Sequence, residues 1–428
     1  MMIKVSGIQL CLIIIDCWKE EEDMMGNFKK KRPKLRSHDV EEEEEQIDRL
    51  SDLPDSILHS ILSFLDSKSS VQTSILSRTW RCLWKAVPAL NFNRRSFRKE
   101  SSFRDYVEKF LSLRFRSAAV ESITFDFGPE LLWQRRRLEL FDSVMRYVTA
   151  VQGGQLHNLS ISCTDGRFSS IVASITACLR HESLKTLKLE GFLIAATALS
   201  SPGFKWLTTL ELHECYLTNS RSSQRSNSVD PATNVPSCLN SLKLIDCSSK
   251  GCLVVSAPQL LDLEITCFST YLFDGAEVFA PKLKSFRLCC SMYYLLDLHR
   301  LDFPSLDHAD IRFWPEDWYS KDNPILSEDF SREYMKLLPA LHNAESLNFH
   351  FGKKPEWIYS VPWEDHHFPF SRIKLLLESE ASPFTRLKTL RMQYPEEPPS
   401  IPDQVLRYFF NGSSNIGLRT IIMEQKSE

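Results

Sequence analysis

A degenerate L-x-x-L-x-L pattern recurs along most of this chain, starting at Val120, Leu156, Leu184, Leu207, Leu239, Leu260, Leu283, Leu306, Ala344 and Leu387. The steps from Leu184 to Leu207, from Leu260 to Leu283 and from Leu283 to Leu306 are each 23 positions. A second marker keeps the same beat: Ala257-Pro258-x-Leu260, Ala280-Pro281-x-Leu283 and Phe303-Pro304-x-Leu306. Alternation at period two puts the apolar side chains of each unit on one side of a short strand. A single unit cannot hide that side, but stacked units share a continuous core. The expectation is an α/β solenoid over 120–428 with a C-terminal cap: a curved parallel sheet, with outer helices and loops returning the chain between strands.

The same alternation names the side chains that should face solvent on the concave side: Thr186, Lys188, Glu190, Thr209, Glu211, His213, Ser241, Lys243, Asp262, Glu264 and Arg287. Their mixed charges specify no class of target. Cys215 and Cys247 follow the pattern at L-x-x-L-x-L-x-x-C, with Cys163, Cys267 and Cys290 one place earlier, and all five are read as core or turn residues. Phe141–Val148 and Ile171–Leu179 have helical spacing and are expected on the outer face. Three insertions break the beat. The polar stretch 219–237 is a candidate phosphorylation loop, Trp314, Trp318 and Tyr319 are read as a lid on the sheet edge, and Asp365, His366 and His367 are read as loop residues because no further ligands are near.

The chain of 428 residues carries 52 basic and 55 acidic side chains, so no global field collects nucleic acid or acidic membrane. Its 12 cysteines contain no C-x-x-C pair, which argues against zinc and for reduced thiols in a reducing compartment. The apolar run Ile8–Ile15 falls short of the roughly 20 residues of a spanning helix. It also runs into Asp16 without a cleavage site for small residues, and Met24 or Met25 would serve as a start. Residues 1–46 are expected to be a disordered charged leader. Within it Lys29, Lys30, Lys31, Arg32, Lys34 and Arg36 form a candidate nuclear localisation signal ahead of the acidic run Glu41–Glu45, consistent with a nuclear or cytoplasmic protein.

The remaining segment, 47–92, is dense in apolar side chains. Pro54 can open a helix, and Leu53, Ile57, Leu58, Ile61, Leu62 and Leu65 repeat at helical spacing. Val71, Ile75 and Leu76 follow, then Trp80, Leu83, Trp84 and Val87, with Pro88 as the stop. Three short helices of this size carry more apolar surface than they can enclose. Docking on the following domain or on a partner would cover it.

Leu53-Pro54-Asp55, Ile61-Leu62-Ser63-Phe64-Leu65, Ser77-Arg78-x-Trp80-Arg81-x-Leu83-Trp84 and Val87-Pro88-x-Leu90-x-Phe92 resemble the F-box, in its plant form. The repeats resemble the leucine-rich repeats of plant F-box proteins. The resemblance implies a small three-helix F-box over 47–92, a helical linker over 93–119 and the solenoid beyond. It further implies a substrate-recognition subunit of an SCF ubiquitin ligase: the F-box binds a Skp-type adaptor, and through it a cullin-RING scaffold, while the repeats hold a protein substrate. Adaptor contacts would fall at Leu53, Pro54, Ile57, Leu58, Ile61, Leu65, Val71, Leu76, Trp80, Leu83 and Trp84. Ser69 and Thr79 depart from residues common in the family without touching these positions.

No phosphate-binding glycine loop, nucleophile elbow, zinc helix or dinucleotide fingerprint occurs, and Arg135–Arg137 reads as a solvated turn. The chain is therefore expected to be no enzyme and to need no cofactor, with neither nucleic acid nor membrane as partner. A leucine-rich-repeat scaffold, or a ligand-sensing binding protein, is the alternative.

Overall fold

The computed structural model describes residues 50, 53–128, 134–150, 155–163, 183–195, 204–218, 235–249, 252–267, 275–291, 300–314, 337–351, 383–394, 408–409 and 420–425. The chain divides into two compact units, Met1–Leu156 and His157–Glu428.

In the first unit, helix α1 (Asp55–Ser63) begins after Pro54, whose carbonyl accepts from the amides of Ile57 and Leu58 at 2.8 and 3.2 Å. Helix α2 (Ser67–Gln72) is capped by Asp66, which accepts from the Ser69 amide at 2.7 Å. The third apolar set, expected as a helix, forms turns and a short 3-10 segment, Leu83–Lys85. Strand β1 (Ala89–Asn93) follows, with helix α3 (Glu100–Leu113), strand β2 (Ser122–Asp126) and helix α4 (Gln134–Ala150) completing the unit. β1 and β2 pair in parallel, Ala89 opposite Ser122. One aromatic core joins these elements: Trp84 lies 5.1 Å from Phe110, Phe92 lies 5.5 Å from Phe110, and Phe125 lies 5.9 Å from both Phe92 and Phe141. Of the two expected outer helices, α4 contains Phe141–Val148, whereas Ile171–Leu179 lies outside the described residues.

The second unit is built on strands β3 (Asn158–Ser162), β4 (Thr186–Glu190), β5 (Leu193–Ala195), β6 (Thr209–His213), β7 (Tyr216–Thr218), β8 (Ser241–Ile245), β9 (Ser248–Ser249), β10 (Cys252–Ser256), β11 (Asp262–Cys267), β12 (Gly275–Phe279), β13 (Ser285–Ser291), β14 (Arg300–Asp302), β15 (His308–Trp314), β16 (Ser346–Phe351), β17 (Thr389–Tyr394) and β18 (Thr420–Gln425). The main sheet runs β3-β4-β6-β8-β11-β13-β15-β16-β17-β18. Every neighbouring pair in it is parallel and in matching register. Each of the ten pattern starts read from the sequence is followed two residues later by a strand. The inward rows are buried throughout: Leu187, Leu210, Leu242, Leu263, Phe286, Ala309, Leu347 and Leu390 form one, and Leu189, Leu212, Leu244, Ile265, Leu288, Ile311, Phe349 and Met392 the other.

Two backbone devices repeat from rung to rung. The carbonyl just before each main-sheet strand from β3 to β16 accepts from two amides of the next rung; that of Lys185 accepts from Thr208 and Thr209, both at 2.9 Å, and that of Lys284 from Asp307 and His308 at 3.0 and 2.9 Å. In the Pro-containing units the amide of the first Leu bonds back to the residue before proline, Leu260 to Ala257 and Leu283 to Ala280 at 3.0 Å. Proline at the second position of that turn presets its backbone, and Ala257, Ala280 and Phe303 are thereby folded into the core.

Between β4 and β15 the expected outer helices give way, among the described residues, to two further parallel sheets, β5-β7-β9 and β10-β12-β14. The cause is local. Leu253, Val255 and Val278 are buried at period two, a strand pattern rich in β-branched residues, and repeats of 23 positions leave little length for a helix. Gly191, Glu214 and Asp246, which follow β4, β6 and β8, have φ of 77°, 49° and 50°. That left-handed step turns the next side chain, Phe192, Cys215 or Cys247, into the core. Cys215 Sγ donates to the His213 carbonyl at 3.2 Å and Cys247 Sγ to that of Leu212 at 3.2 Å. Cys267 and Cys290 instead extend their strands side by side, and burial pushes the Cys267 thiol up to about 12. The five cysteines of the pattern are all buried and unbridged, the structural role read from the sequence.

Candidate functional site

The adaptor residues read from the sequence separate into two sets. Leu58, Trp80 and Leu83 are buried together with Leu62 and Val87 in one cluster, and Leu53 and Leu65 pack against it half-buried. Val71 and Trp84 are also interior. These five fully buried positions, Leu58, Val71, Trp80, Leu83 and Trp84, hold the module together and offer a partner no free surface. The reason lies in the packing: α1 turns Leu58 and Leu62 inward, the Ser70 hydroxyl donates to the Leu62 carbonyl at 3.2 Å, and Trp84 sits against Phe110.

Pro54, Ile57, Ile61 and Leu76 are exposed. Ile57 and Ile61 are 47% and 37% accessible, and Phe64, one turn further on, is 87% accessible, so α1 presents an outward apolar stripe at i, i+4 and i+7. Ile75 and Leu76, at 47% and 65%, add two more apolar side chains at the end of the 3-10 turn Thr73–Ile75. Phe64 and Ile75 were absent from the sequence list, although Phe64 lies inside the quoted Ile61–Leu65 motif and its i+3 offset from Ile61 was the available signal. A helix apolar on both faces is fit for one purpose: the inner face builds the fold and the outer face awaits cover.

On the second unit all eleven residues expected on the concave side lie on the strands of the main sheet, off the two inward rows. The middle row alternates in sign from rung to rung: Lys188, Glu211, Lys243, Glu264, Arg287, Asp310. Neighbours pair across it, Lys243 with Glu211 at 3.2 Å and Arg287 with Glu264 at 3.5 Å and with Asp310 at 3.2 Å. Asp310, missed by the sequence reading, is the hub. Its residue is 4% accessible, and its carboxylate also accepts from Arg312 at 2.9 Å and His350 at 3.0 Å. Burial alone would raise this carboxyl; the hydrogen bonds and charges of His350 and Arg312 outweigh it and hold the group well below the usual carboxylate range. At the other end of the row, burial and then the Lys188 charge lower the pKa of His213.

Among the described residues no three His, Cys, Asp or Glu side chains are grouped as a metal site would require. No described helix is long and apolar enough to cross a membrane. The leader with Lys29–Arg36, the insertion 219–234, Trp318 with Tyr319, and Asp365–His367 lie outside the described residues.

Residues 50–90 match the F-box domain family. The chain is 28% identical over 293 residues to an FBD-associated F-box protein of Arabidopsis thaliana, covering 67% of this chain and 60% of that protein. It is 28% identical over 303 residues to an F-box/LRR-repeat protein of the same plant, covering 70% and 59%. A further FBD-associated F-box protein of Arabidopsis thaliana is 46% identical over 70 residues, 16% of each chain. The chain thus spans about 60% of the length of the first two relatives. With the two-faced helix of the module, the repeat beat and the all-parallel main sheet, these matches make the chain similar to the F-box/leucine-rich-repeat proteins of plants, with an F-box domain match at residues 50–90.

Proposed function

We propose that the chain is the substrate-recognition subunit of an SCF-type ubiquitin ligase, its F-box docking on a Skp-type adaptor and its repeat face holding a target protein. The observation that carries this reading is the outward stripe Ile57, Ile61 and Phe64 on a helix whose other face is already buried, within residues that match the F-box family. Leu76 and Ile75 extend it, while the interior residues of the sequence list act by fixing the module's shape. Catalysis is then borrowed. Holding a target beside a charged conjugating enzyme raises the effective concentration of its lysines, and the subunit needs no catalytic group of its own. Residence in the nucleus and the cytoplasm belongs to the same proposal and rests on Lys29–Arg36; a reporter fused to residues 24–46 that stays out of the nucleus would remove the nuclear part.

The test is co-expression of the full chain with a Skp-type adaptor. Wild type should be captured, and Phe64→Asp or Ile61→Asp should weaken capture about thirtyfold or more, as loss of an interface hot spot does, while melting like wild type. A folded wild-type chain that captures no adaptor sinks the ligase reading and leaves the repeat scaffold.

A further inference from the structure

The repeat face is polarised along the solenoid. On β4, β6 and β8 the solvent-facing rows carry Lys188 and Lys243 against Glu190 and Glu211, and Glu214 and Asp246 stand just past the last two of these strands. Counting also Lys185, which precedes β4, and Asp262 and Glu264 on β11, six acids to three bases leave that end negative. On β13 to β17 the same rows carry Arg287, Arg312 and Arg391 with a single acid, Asp310; the flanking Lys284, Arg386 and Lys388 outnumber Asp307 and Glu345, and Glu264 on β11 pairs with Arg287 at 3.5 Å.

The basic end is also built rather than merely charged. Asp310 is almost out of solvent, yet it holds two guanidiniums: Arg312 through Nε at 3.2 Å and Nη2 at 2.9 Å, and Arg287 through Nε at 3.2 Å. His350 closes the third side at 3.0 Å. Both arginines keep their outward halves in water, their side chains being 46% and 45% accessible. A guanidinium presents five donors in a planar fork, so fixing its inner edge on a buried acid aims the remaining donors outward at little further entropic cost. Such a pair accepts an oxyanion.

We propose that the rungs β13 to β17 form the receptor for an acidic segment of the target, whose carboxylate or phosphate oxyanions are received by Arg287 and Arg312. This rests on the reading that the repeat face holds the target. The acidic rungs β4 to β8 repel the same segment and so set its placement along the solenoid. The buried Asp310 offsets one of the two guanidinium charges and gives their forks a fixed spacing.

The experiment measures binding of the full chain to three fluorescent Gly/Ser peptides that differ only in carrying a run of glutamates, phosphoserines in place of those glutamates, or lysines. The acidic peptides should bind and the lysine peptide should not, with affinity falling as salt rises. The ratio between the glutamate and phosphoserine peptides identifies which oxyanion is preferred. Arg312→Gln and Arg287→Gln should each weaken acidic binding about tenfold, the usual loss for one charged hydrogen-bonding group. Lys205→Gln, an exposed lysine in the turn before β6 and off the solvent-facing rows of the sheet, is the control and should change binding little. Equal binding of acidic and basic peptides, or unchanged acidic binding by both arginine variants with wild-type melting, overturns the proposal. Adaptor capture run on the same preparations separates the two readings: capture without acidic binding sinks only this one, and acidic binding without capture sinks only the ligase reading.

Discussion

Asp310 and Glu214 stand on the same unit and titrate in opposite directions. The folded-state pKa of Asp310 is depressed, so its contribution to stability is complete above the unfolded value of about 3.9 and is lost as pH falls from there toward the folded one. Asp310→Asn should therefore cost about 2 kcal/mol at pH 7, the scale of charged hydrogen bonds, and the gap from wild type should narrow below about pH 4. Denaturant midpoints at neutral and acid pH measure it; a gap that does not change with pH would mean that the ion cluster is not what the substitution removes. Glu214 behaves in reverse. Partial burial of its carboxyl, then the charges of Glu190 and Asp246, raise its pKa, which is a cost paid wherever the group is ionised. It also occupies a left-handed φ of 49°, which asparagine tolerates better. Glu214→Asn should stabilise by about 0.5 kcal/mol at pH 7, mostly through the backbone because solvent screens the exposed carboxylate, and the electrostatic part of the gain should shrink as acid protonates the wild-type carboxyl. A gain that instead grows toward acid pH would contradict this sign.

At the scale of elements, α1 has two apolar faces with separate duties. Leu62 is fully buried, so Leu62→Ala should lower unfolding free energy by about 2–5 kcal/mol. Phe64, one turn position away, is 87% accessible, and Phe64→Ala should leave stability within about 0.5 kcal/mol of wild type. Thermal melts of the two variants decide this, and a large destabilisation by Phe64→Ala would show that the outer stripe is covered within the chain. Helical spacing alone could not divide these residues, because a helix with apolar side chains on two faces gives no sign of which stripe faces in; Trp80 and Trp84, among the adaptor contacts the resemblance implies, lie in the interior. Strand patterning was more informative, since period two fixes both strand and face at once. Two strands were nonetheless missed, although they carry the same pattern: Val87-x-x-Leu90-x-Phe92 precedes and contains β1, and Leu418-x-x-Ile421-x-Met423 precedes and contains β18. The first was hidden inside the resemblance to a helical module, and the second lacks a leucine at two of three positions. Asp310 escaped because its importance comes from partners on three neighbouring strands, which no local pattern records. Between β4 and β15 the described returns add short strands to the helices and loops expected there, because a repeat of 23 positions leaves little length for a helix.

For the solenoid as a whole, the same hydrogen-bond device links each rung of the main sheet only to the next, as when the Asn240 carbonyl receives Leu261 and Asp262 and the Leu261 carbonyl receives Lys284 and Ser285. Stability in such an array is close to a sum over rungs and their nearest-neighbour interfaces. A cavity in the middle should then weaken its own neighbourhood before the ends. Leu288 on β13 is fully buried, in register with Ile265 on β11 and Ile311 on β15. Leu288→Ala removes three methylene-sized groups there and should cost about 2–5 kcal/mol locally. Amide hydrogen exchange should show protection falling together on β11, β13 and β15, with β3 and β4, four strands or more from the cavity, retaining theirs. If protection instead falls equally across every strand, the sheet unfolds as one cooperative body and the nearest-neighbour account fails. The point bears on recognition too. The arginine pair of the repeat face sits on β13 and β15, so the same substitution should weaken acidic-peptide binding in step with local exchange while adaptor capture, which the proposal assigns to α1, is unchanged.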